Sequence, residues 1–409
     1  MKSQEGKNKK ENKKTKVFVG VSGGVDSSVT LALLQEQGFD VTGVFLKVWH
    51  PDFLPCDWKE ERRSAMRVCA TLGVPFLTMD CQAEYKKEVV DYMIAEYRAG
   101  RTPNPDVFCN KYVKFGVFLK KALALGANFI ATGHYARIEK NQDSGEEKLF
   151  LETSRSRAGE RERNFQQKIY AFSKNNLSNQ SLDFFKLHEA VDDNKDQSYF
   201  LYTLNQEQLS RILFPVGELK KPEVRKLAEK FGLSTATKKD SQGVCFLENI
   251  DIKDFLSRFI ETKKGNVLNT KGEVIGWHNG AVLYTIGERH GFIINKKTPN
   301  DERLFVVAKD LEKNTITVAD KKTESDAVYS AKEIVVKDLH FVSGVEKENF
   351  KCHVRIRYRQ KKQKCSVIKK SDGWHIVFAE PQNGVALGQS AVLYDGSICL
   401  GGGVIDVVQ

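Results

Sequence analysis

No two of the eight cysteines are spaced Cys-x-x-Cys, and eight in 409 residues is too sparse for a disulfide scaffold. Paired zinc or iron–sulfur ligand motifs are therefore missing. No run approaches the roughly 18 uninterrupted apolar residues needed to cross a bilayer, and the N-terminus lacks the apolar core of a secretory signal. No repeat with a period of 20 to 50 residues is visible. These absences point to a cytoplasmic protein with no membrane span. Hydrophobic residues at 41% and aromatics at 10%, spread along the chain, exclude global disorder.

Charge is present in surplus: 64 Lys and Arg against 53 Asp and Glu, a net +11. Residues Met1 to Lys16 hold seven Lys and two Glu, and read as a disordered basic arm. The rest of the chain carries +6, which by itself does not establish RNA binding.

From Lys16 the pattern is strand, glycine loop, helix. Strands are expected at 16–21, 41–48, 75–79 and 128–132, with helices at 27–37, 58–72, 83–97 and 110–125. Such alternation implies a parallel sheet covered on both faces. Between Glu139 and Asn194 the periodicity fails, as in a long excursion. The α/β pattern resumes at Tyr199 to Leu204, with helices expected at Gln206 to Leu213 and Lys221 to Phe231. After Asp251 short strand-like runs take over, among them Ala281 to Ile286, and a last all-β stretch runs from Lys332 to Val408. Their regular spacing suggests a small barrel or sandwich.

Ser22-Gly-Gly-Val-Asp-Ser-Ser28 lies between a strand end and a helix start. Unpaired N–H groups and the positive end of the helix dipole accept phosphate there. Gly23 and Gly24 let the backbone curl round an anion. Asp26 is suited either to capping the helix or to holding Mg²⁺ carried by a nucleotide. No Gly-Lys-Ser/Thr closes the loop, so it is not a Walker A loop. The string resembles the PP-loop of the ATP pyrophosphatases, which cleave ATP between the α and β phosphates.

Two cysteines stand in suggestive surroundings. Gly100-Arg-Thr-Pro-Asn-Pro-Asp-Val-Phe-Cys-Asn-Lys111 sets Cys109 near a helix N-terminus, where a thiolate is favoured, with Asp106 three residues earlier. Lys238-Lys-Asp-Ser-Gln-Gly-Val-Cys-Phe246 places Cys245 after a glycine turn and near two lysines. Each cysteine taken singly also reads as a small buried hydrophobe. In Cys352-His-Val-Arg-Ile-Arg-Tyr-Arg359 the period-two arginines Arg355, Arg357 and Arg359 would share one face, either a stripe tracking phosphates or a solvated edge strand.

Together with Ala131-Thr-Gly-His-Tyr-Ala136, Lys195-Asp-Gln-Ser-Tyr-Phe-Leu201, Phe214-Pro-Val-Gly-Glu-Leu219 and Leu400-Gly-Gly-Gly403, these blocks resemble the tRNA 2-thiouridylases, a PP-loop family. The resemblance runs in order from Val17 to the C-terminus. It implies an α/β fold: a parallel-sheet PP-loop domain, adenine nucleotide alpha hydrolase-like, at 17–250 with an insertion at about 140–194. A small β-rich central domain at 251–325 and a C-terminal β-barrel that binds tRNA at 330–409 would follow. It also implies ATP-dependent replacement of O2 by sulfur on the wobble uridine, U34, of tRNAs for Lys, Glu and Gln, with AMP and pyrophosphate released.

By motif, ATP with its Mg²⁺ would be bound by Gly20, Val21, Ser22, Gly23, Gly24, Val25, Asp26 and Ser27, with Leu46 and Gly133 bordering the pocket. Cys109 would be the nucleophile, Cys245 the persulfide carrier and Asp106 the acid/base, the two cysteines forming a transient disulfide. Asn104, Pro105, Asp106, His134, Lys195, Asp196, Gln197, Arg357, Tyr358 and Gln389 would touch tRNA. A sulfur donor, such as a cysteine desulfurase or a relay carrier, is implied, and a monomer is expected. Two cysteines and a carboxylate suffice to ligate an iron–sulfur cluster, but the missing paired motifs favour the persulfide route. The insertion is longer than the family pattern. The competing readings are an adenylating amide ligase or lysidine-type synthetase, in which both cysteines would be dispensable, and an RNA-binding protein with a relic loop.

Overall fold

The computed structural model describes residues 14–53, 58–141, 184–239, 251–295, 302–320 and 330–409. The expectations for the basic arm, for residues 142–183 and for Cys245 lie mostly or wholly outside them.

The N-terminal part is built on β1 (Lys16–Gly20), β2 (Asp40–Lys47), β3 (Phe76–Asp80) and β4 (Phe129–Ala131). Next in the chain come β5 (Ala136–Asn141), β6 (Phe184–Glu189) and β7 (Ile212–Leu213). Five of these form a parallel sheet in the order β3-β2-β1-β4-β7. Successive side chains alternate between faces, yet both faces are apolar. Val17, Val19 and Phe129 join one core, with α1 (Val25–Glu36) and α2 (Trp58–Leu72). Phe18, Val44 and Ile130 join the other, with the helical residues between Gln82 and Ala124. Burial on both sides explains why the strands read as continuous apolar runs.

Strand order reverses between β1 and β4, because the chain builds outward from β1 to β3 and then returns to β1's other edge. Ligands in open α/β sheets bind at the carboxyl ends of the strands at such a switch point. Two of the motifs follow those two strand ends: Ser22–Ser28 after β1 and Thr132-Gly-His134 after β4.

Several local expectations are corrected. The helix foreseen to Leu213 stops at Leu209, closed at its start by a capping box between Asn205 and Gln208. Ile212 and Leu213 instead form the sheet's far edge beside Ile130 and Ala131. Where the α/β pattern resumes, Tyr199–Leu204 forms a 3₁₀ turn at Ser198–Phe200 followed by further turns. The excursion is bounded by regular structure, since β5 and β6 pair antiparallel from Ala136↔Glu189 to Asn141↔Phe184.

The middle of the chain forms β8 (Gly265–Leu268), β9 (Val274–His278), β10 (Ile293–Ile294), β11 (Leu304–Asp310) and β12 (Thr315–Asp320). They make one sheet in the order β10-β9-β8-β12-β11. The run expected as a strand from Ala281 is a 3₁₀ turn at Ala281–Leu283 that follows Gly280 at φ 135°.

The C-terminal part comprises β13 (Ser330–Val336), β14 (His340–Phe341), β15 (Asn349–Arg355) and β16 (Gln363–Lys370). It ends with β17 (Gly373–Asn383), β18 (Ser390–Asp395) and β19 (Ile398–Val408). The order β13-β17-β16-β15-β18-β19 closes on itself through β13 and β19, giving a six-stranded barrel. Gly401 and Gly403 lie in β19; a Cβ on Gly403 would sit 2.2 Å from Val336 Cγ1, so barrel closure itself requires glycine there. β6 pairs with β19 at Cys399↔Leu187, welding the barrel to the nucleotide-fold part.

Candidate active site

The loop after β1 is shaped by its own short side chains. The Ser22 N–H donates to Ser27 Oγ at 3.2 Å, and the Ser27 and Ser28 hydroxyls donate to the Gly24 carbonyl at 3.2 and 2.7 Å. Gly23 has φ +79°, and a Cβ there would lie 2.7 Å from the Glu61 carbonyl of α2, so both conformation and packing demand glycine. The Gly23 carbonyl accepts from Ser64 Oγ at 3.2 Å and Lys238 Nζ at 3.1 Å. Gly24 is the N-cap of α1 and carries no side chain to satisfy the first-turn N–H groups. An uncapped helix N-terminus at the switch point, with a lysine beside it, suits a phosphate chain.

Gly133 belongs to this loop sterically: a Cβ on it would meet the Ser27 nitrogen at 2.6 Å, so β4's exit presses directly on α1's first turn. Leu46 is half-buried at the carboxyl end of β2, in register with Met79. Asp26 does not cap α1. Both of its oxygens accept from Lys221 Nζ, at 2.7 and 2.8 Å, and Tyr135 Oη donates to Oδ1 at 2.8 Å.

The second cluster starts where Gly100–Asn104 leads into a helix with Pro105 at its first position. Pro105, Cys109 and Asn110 are buried, Asn104 and Asp106 half-buried. From Cys109 to Val117 the helix is π-wound, and the Phe115 carbonyl accepts from Gln208 Nε2 at 2.9 Å. Farther along it, Phe115 packs 5.5 Å from the His134 ring and Phe118 lies against Gly20. The helix that starts at Pro105 thus passes under the phosphate loop.

The loop before it is held from outside. Thr102 N–H donates to the Leu387 carbonyl at 2.8 Å, and Gln389 Nε2 returns a bond to the Thr102 carbonyl at 2.9 Å. Thr102 Oγ1 lies 3.1 Å from Thr285 Oγ1, and Arg101 binds Glu96 and Asp406 at 2.8 and 2.6 Å. Three parts of the chain therefore converge on residues 101–102.

The residues singled out for tRNA are mostly engaged in such contacts. Asp196 is 4% exposed and accepts from Ala190 N–H, Ser198 and Arg355. Gln197 and Tyr135 exchange two bonds, Gln197 N–H to the Tyr135 carbonyl and Tyr135 N–H to Gln197 Oε1. Lys195 is half-buried. His134 is buried against Phe115 and Phe214, with Thr132 Oγ1 2.7 Å from Nδ1; burial first, then the Lys114 charge, holds its pKa well below the usual value. Tyr358 packs 4.5 Å from Phe200.

The arginine stripe does not exist. β15 ends at Arg355, which is ion-paired to Glu189 and Asp196 at 2.9 Å each. Arg357 donates to the carbonyls of Ile286 and Gly384, clasping middle part to barrel, and Arg359 turns at φ 63° over the Tyr358 ring. Charge pairing and a turn override the strand periodicity.

Family models match consecutive stretches: "tRNA methyl transferase HUP domain" at residues 15–249, "tRNA methyl transferase PRC-barrel domain" at 253–320 and "Aminomethyltransferase beta-barrel domain" at 331–405. The tRNA-specific 2-thiouridylase MnmA of Staphylococcus saprophyticus is 41% identical over 97% of this chain and 96% of its own. That of Streptococcus mutans is 40% identical over the same shares.

The chain belongs to the MnmA family.

Among solved structures, the U34-tRNA thiolase NcsA from Methanococcus maripaludis overlaps weakly, with a TM-score of 0.32 and 16% identity over 60% of this chain and 64% of that one. Lys221, Tyr135, Arg101 and Asp192, to which the sequence reading assigned no role, hold the two clusters through Asp26, the Lys221 backbone, Glu96 and Asp406. Tyr135 and Arg101 lie inside the blocks Ala131–Ala136 and Gly100–Lys111, and Lys221 opens a helix after Phe214-Pro-Val-Gly-Glu-Leu219. Burial pushes the Cys69 and Cys81 thiols up to about 11 and raises Cys399, and the Cys365 contact, then burial, raises Cys352, all of which disfavours a thiolate at these four.

Proposed function

We propose that this protein is a tRNA-specific 2-thiouridylase that consumes ATP to place sulfur on C2 of the wobble uridine. The observation that carries this is the uncapped α1 N-terminus at the sheet's switch point, underlain by the helix that bears Asp106 and Cys109. A methyl donor such as S-adenosylmethionine carries no phosphate, so a phosphate loop favours the activity in the relatives' names over the methyl transfer in the models' descriptions.

The chemistry needs two activations. Expelling O2 from uridine as hydroxide is hard, so O2 first attacks the α-phosphorus of ATP, pyrophosphate leaves, and O2 becomes part of an AMP leaving group. The loop Gly20–Ser27 would orient the phosphates, with Leu46 and Gly133 bounding the nucleotide. The sulfur comes from a persulfide on Cys245. The Cys109 thiolate attacks the Cys245 Sγ, the terminal sulfur leaves as hydrosulfide and adds at C2, AMP departs, and Asp106 takes up the proton. A Cys109–Cys245 disulfide remains, and a thiol reductant resets it with two electrons. A sulfur-delivering protein must reload Cys245.

Asn104, Pro105 and Asp106 would meet the flipped base, while Lys195 and Tyr358 keep enough exposure to reach tRNA. Mg²⁺ would arrive on ATP. Among the described residues no group of three or more His, Cys, Asp or Glu is placed to hold a metal.

The test is direct: purified protein with ATP, Mg²⁺, a persulfide donor and tRNA(Lys) transcript should yield 2-thiouridine, AMP and pyrophosphate. Product formed equally well by Cys245→Ser, or none formed by the wild type, would reject the proposal.

A further inference from the structure

Asp26 sits in the phosphate loop, where a carboxylate is ordinarily read as a helix cap or a ligand for the nucleotide's Mg²⁺. Neither fits its surroundings. One ammonium, Lys221 Nζ, lies within hydrogen-bond distance of both oxygens, at 2.7 and 2.8 Å. The Tyr135 hydroxyl donates to Oδ1 as well. A divalent cation at this carboxylate would have to approach within a few ångströms of that ammonium, and the Lys221 side chain is only 11% exposed, so solvent screens the repulsion weakly.

Both partners are themselves fixed. The Lys221 N–H donates to Asp192 Oδ2 at 2.9 Å at the start of the helix Lys221–Lys230. Tyr135 is held by its two backbone bonds with Gln197, at 2.8 and 2.9 Å. The turn from Asp192 to Gln197 therefore reaches Asp26 by two routes, one through Lys221 and one through Tyr135. This turn also carries Lys195, which the proposed function assigns to tRNA.

We propose that Lys221 and Tyr135 are positioning residues that commit Asp26 to bracing the first turn of α1, so that Asp26 is not a Mg²⁺ ligand. The brace keeps the α1 N–H groups aimed at the phosphates and leaves the metal to the nucleotide and water. It rests on the ATP reading of the loop, and it makes the Asp192–Gln197 turn the support for the phosphate loop.

The test measures dissociation constants of a non-hydrolysable ATP analogue, with Mg²⁺ titrated from absent to millimolar, on the full chain. Lys221→Met and Asp26→Asn should each weaken binding by about tenfold, and the double variant by little more than either single one, because one contact is lost in all three. Lys221→Arg should retain binding to within about threefold, and Tyr135→Phe should show a smaller loss than Lys221→Met. The Mg²⁺ concentration for half-maximal effect should stay within about twofold throughout. Thermal unfolding of each variant separates a lost brace from a lost fold, and a Lys221→Arg variant that folds but binds as poorly as Lys221→Met would count against the proposal. An Asp26→Asn variant whose Mg²⁺ midpoint rises more than about tenfold, while Lys221→Met binds nucleotide normally, would overturn it. Wild-type protein that bound no nucleotide would instead remove the ATP reading beneath it.

Discussion

The phosphate loop and the Gly100–Cys109 segment are both turns that open helices, but they are held in opposite ways. The turn from Ser22 to Ser28 is closed by its own serine hydroxyls, across five positions or fewer, while distant side chains reach it at the Gly23 carbonyl and at Asp26. The Gly100–Asn104 turn is fixed by partners far along the chain: Leu387, Gln389, Thr285 and Asp406. A loop that closes its own turn keeps its curvature locally, while the distant Lys221 and Tyr135 fix its Asp26 carboxylate. A loop held from three sides has its geometry set by the packing of the middle part and the barrel on the sheet. Nucleotide binding should therefore respond to changes in the loop's own turn and at its Lys221–Tyr135 brace, and the proposed sulfur chemistry to changes in the middle part and the barrel.

The sharpest way to break that contrast is at Gly23. Gly23→Ala forces a side chain into a left-handed backbone and within 2.7 Å of the Glu61 carbonyl, so nucleotide affinity should fall at least about tenfold. Equilibrium binding that changes less than about twofold would show that the loop does not depend on glycine at this position.

Gln389→Ala probes the remote support. If Gln389 acts by holding Thr102, the turnover rate should drop roughly three- to tenfold while KM for tRNA and nucleotide affinity hold within about twofold. The reverse split, a raised KM for tRNA at unchanged turnover, would make it an RNA contact. Arg101→Ala should mimic the first pattern through loss of its bonds to Glu96 and Asp406.

The smallest expected effect concerns pH. His134 is buried neutral with its pKa depressed, so below about pH 6.5 the unfolded chain binds a proton that the folded one does not. Its contribution to stability is full above the unfolded value and is lost as pH falls from there through the depressed folded value. Replacing it with Asn should flatten the stability slope on the acid side of 6.5, read by chemical denaturation; an unchanged slope would mean that His134 is protonated in the fold.

What was legible in the sequence follows the same divide. The strand–loop–helix of the phosphate site was readable because β1, Ser22–Ser28 and α1 are contiguous. The helix Trp58–Leu72 was likewise marked by its own periodicity. Ile212–Leu213 was missed because a two-residue edge strand has no pattern; only Ile130 and Ala131 across the sheet make it one. Phe184–Glu189 alternates, with Phe185 and Leu187 buried, but its neighbours' polar composition hid the signal until β5 and β19 supplied partners. The arginines of Cys352–Arg359 misled for the converse reason: period-two spacing was real, but Glu189, Asp196 and two carbonyls claimed the side chains.

The pairing of Cys109 with Cys245 on one activated uridine can be measured in a single turnover without added reductant. Protein loaded with persulfide is mixed with ATP and tRNA(Lys), then digested without reduction and mapped by mass spectrometry. The account predicts one Cys109–Cys245 disulfide for each 2-thiouridine formed. Thiolated tRNA accumulating while the Cys109 peptide stays reduced would contradict it.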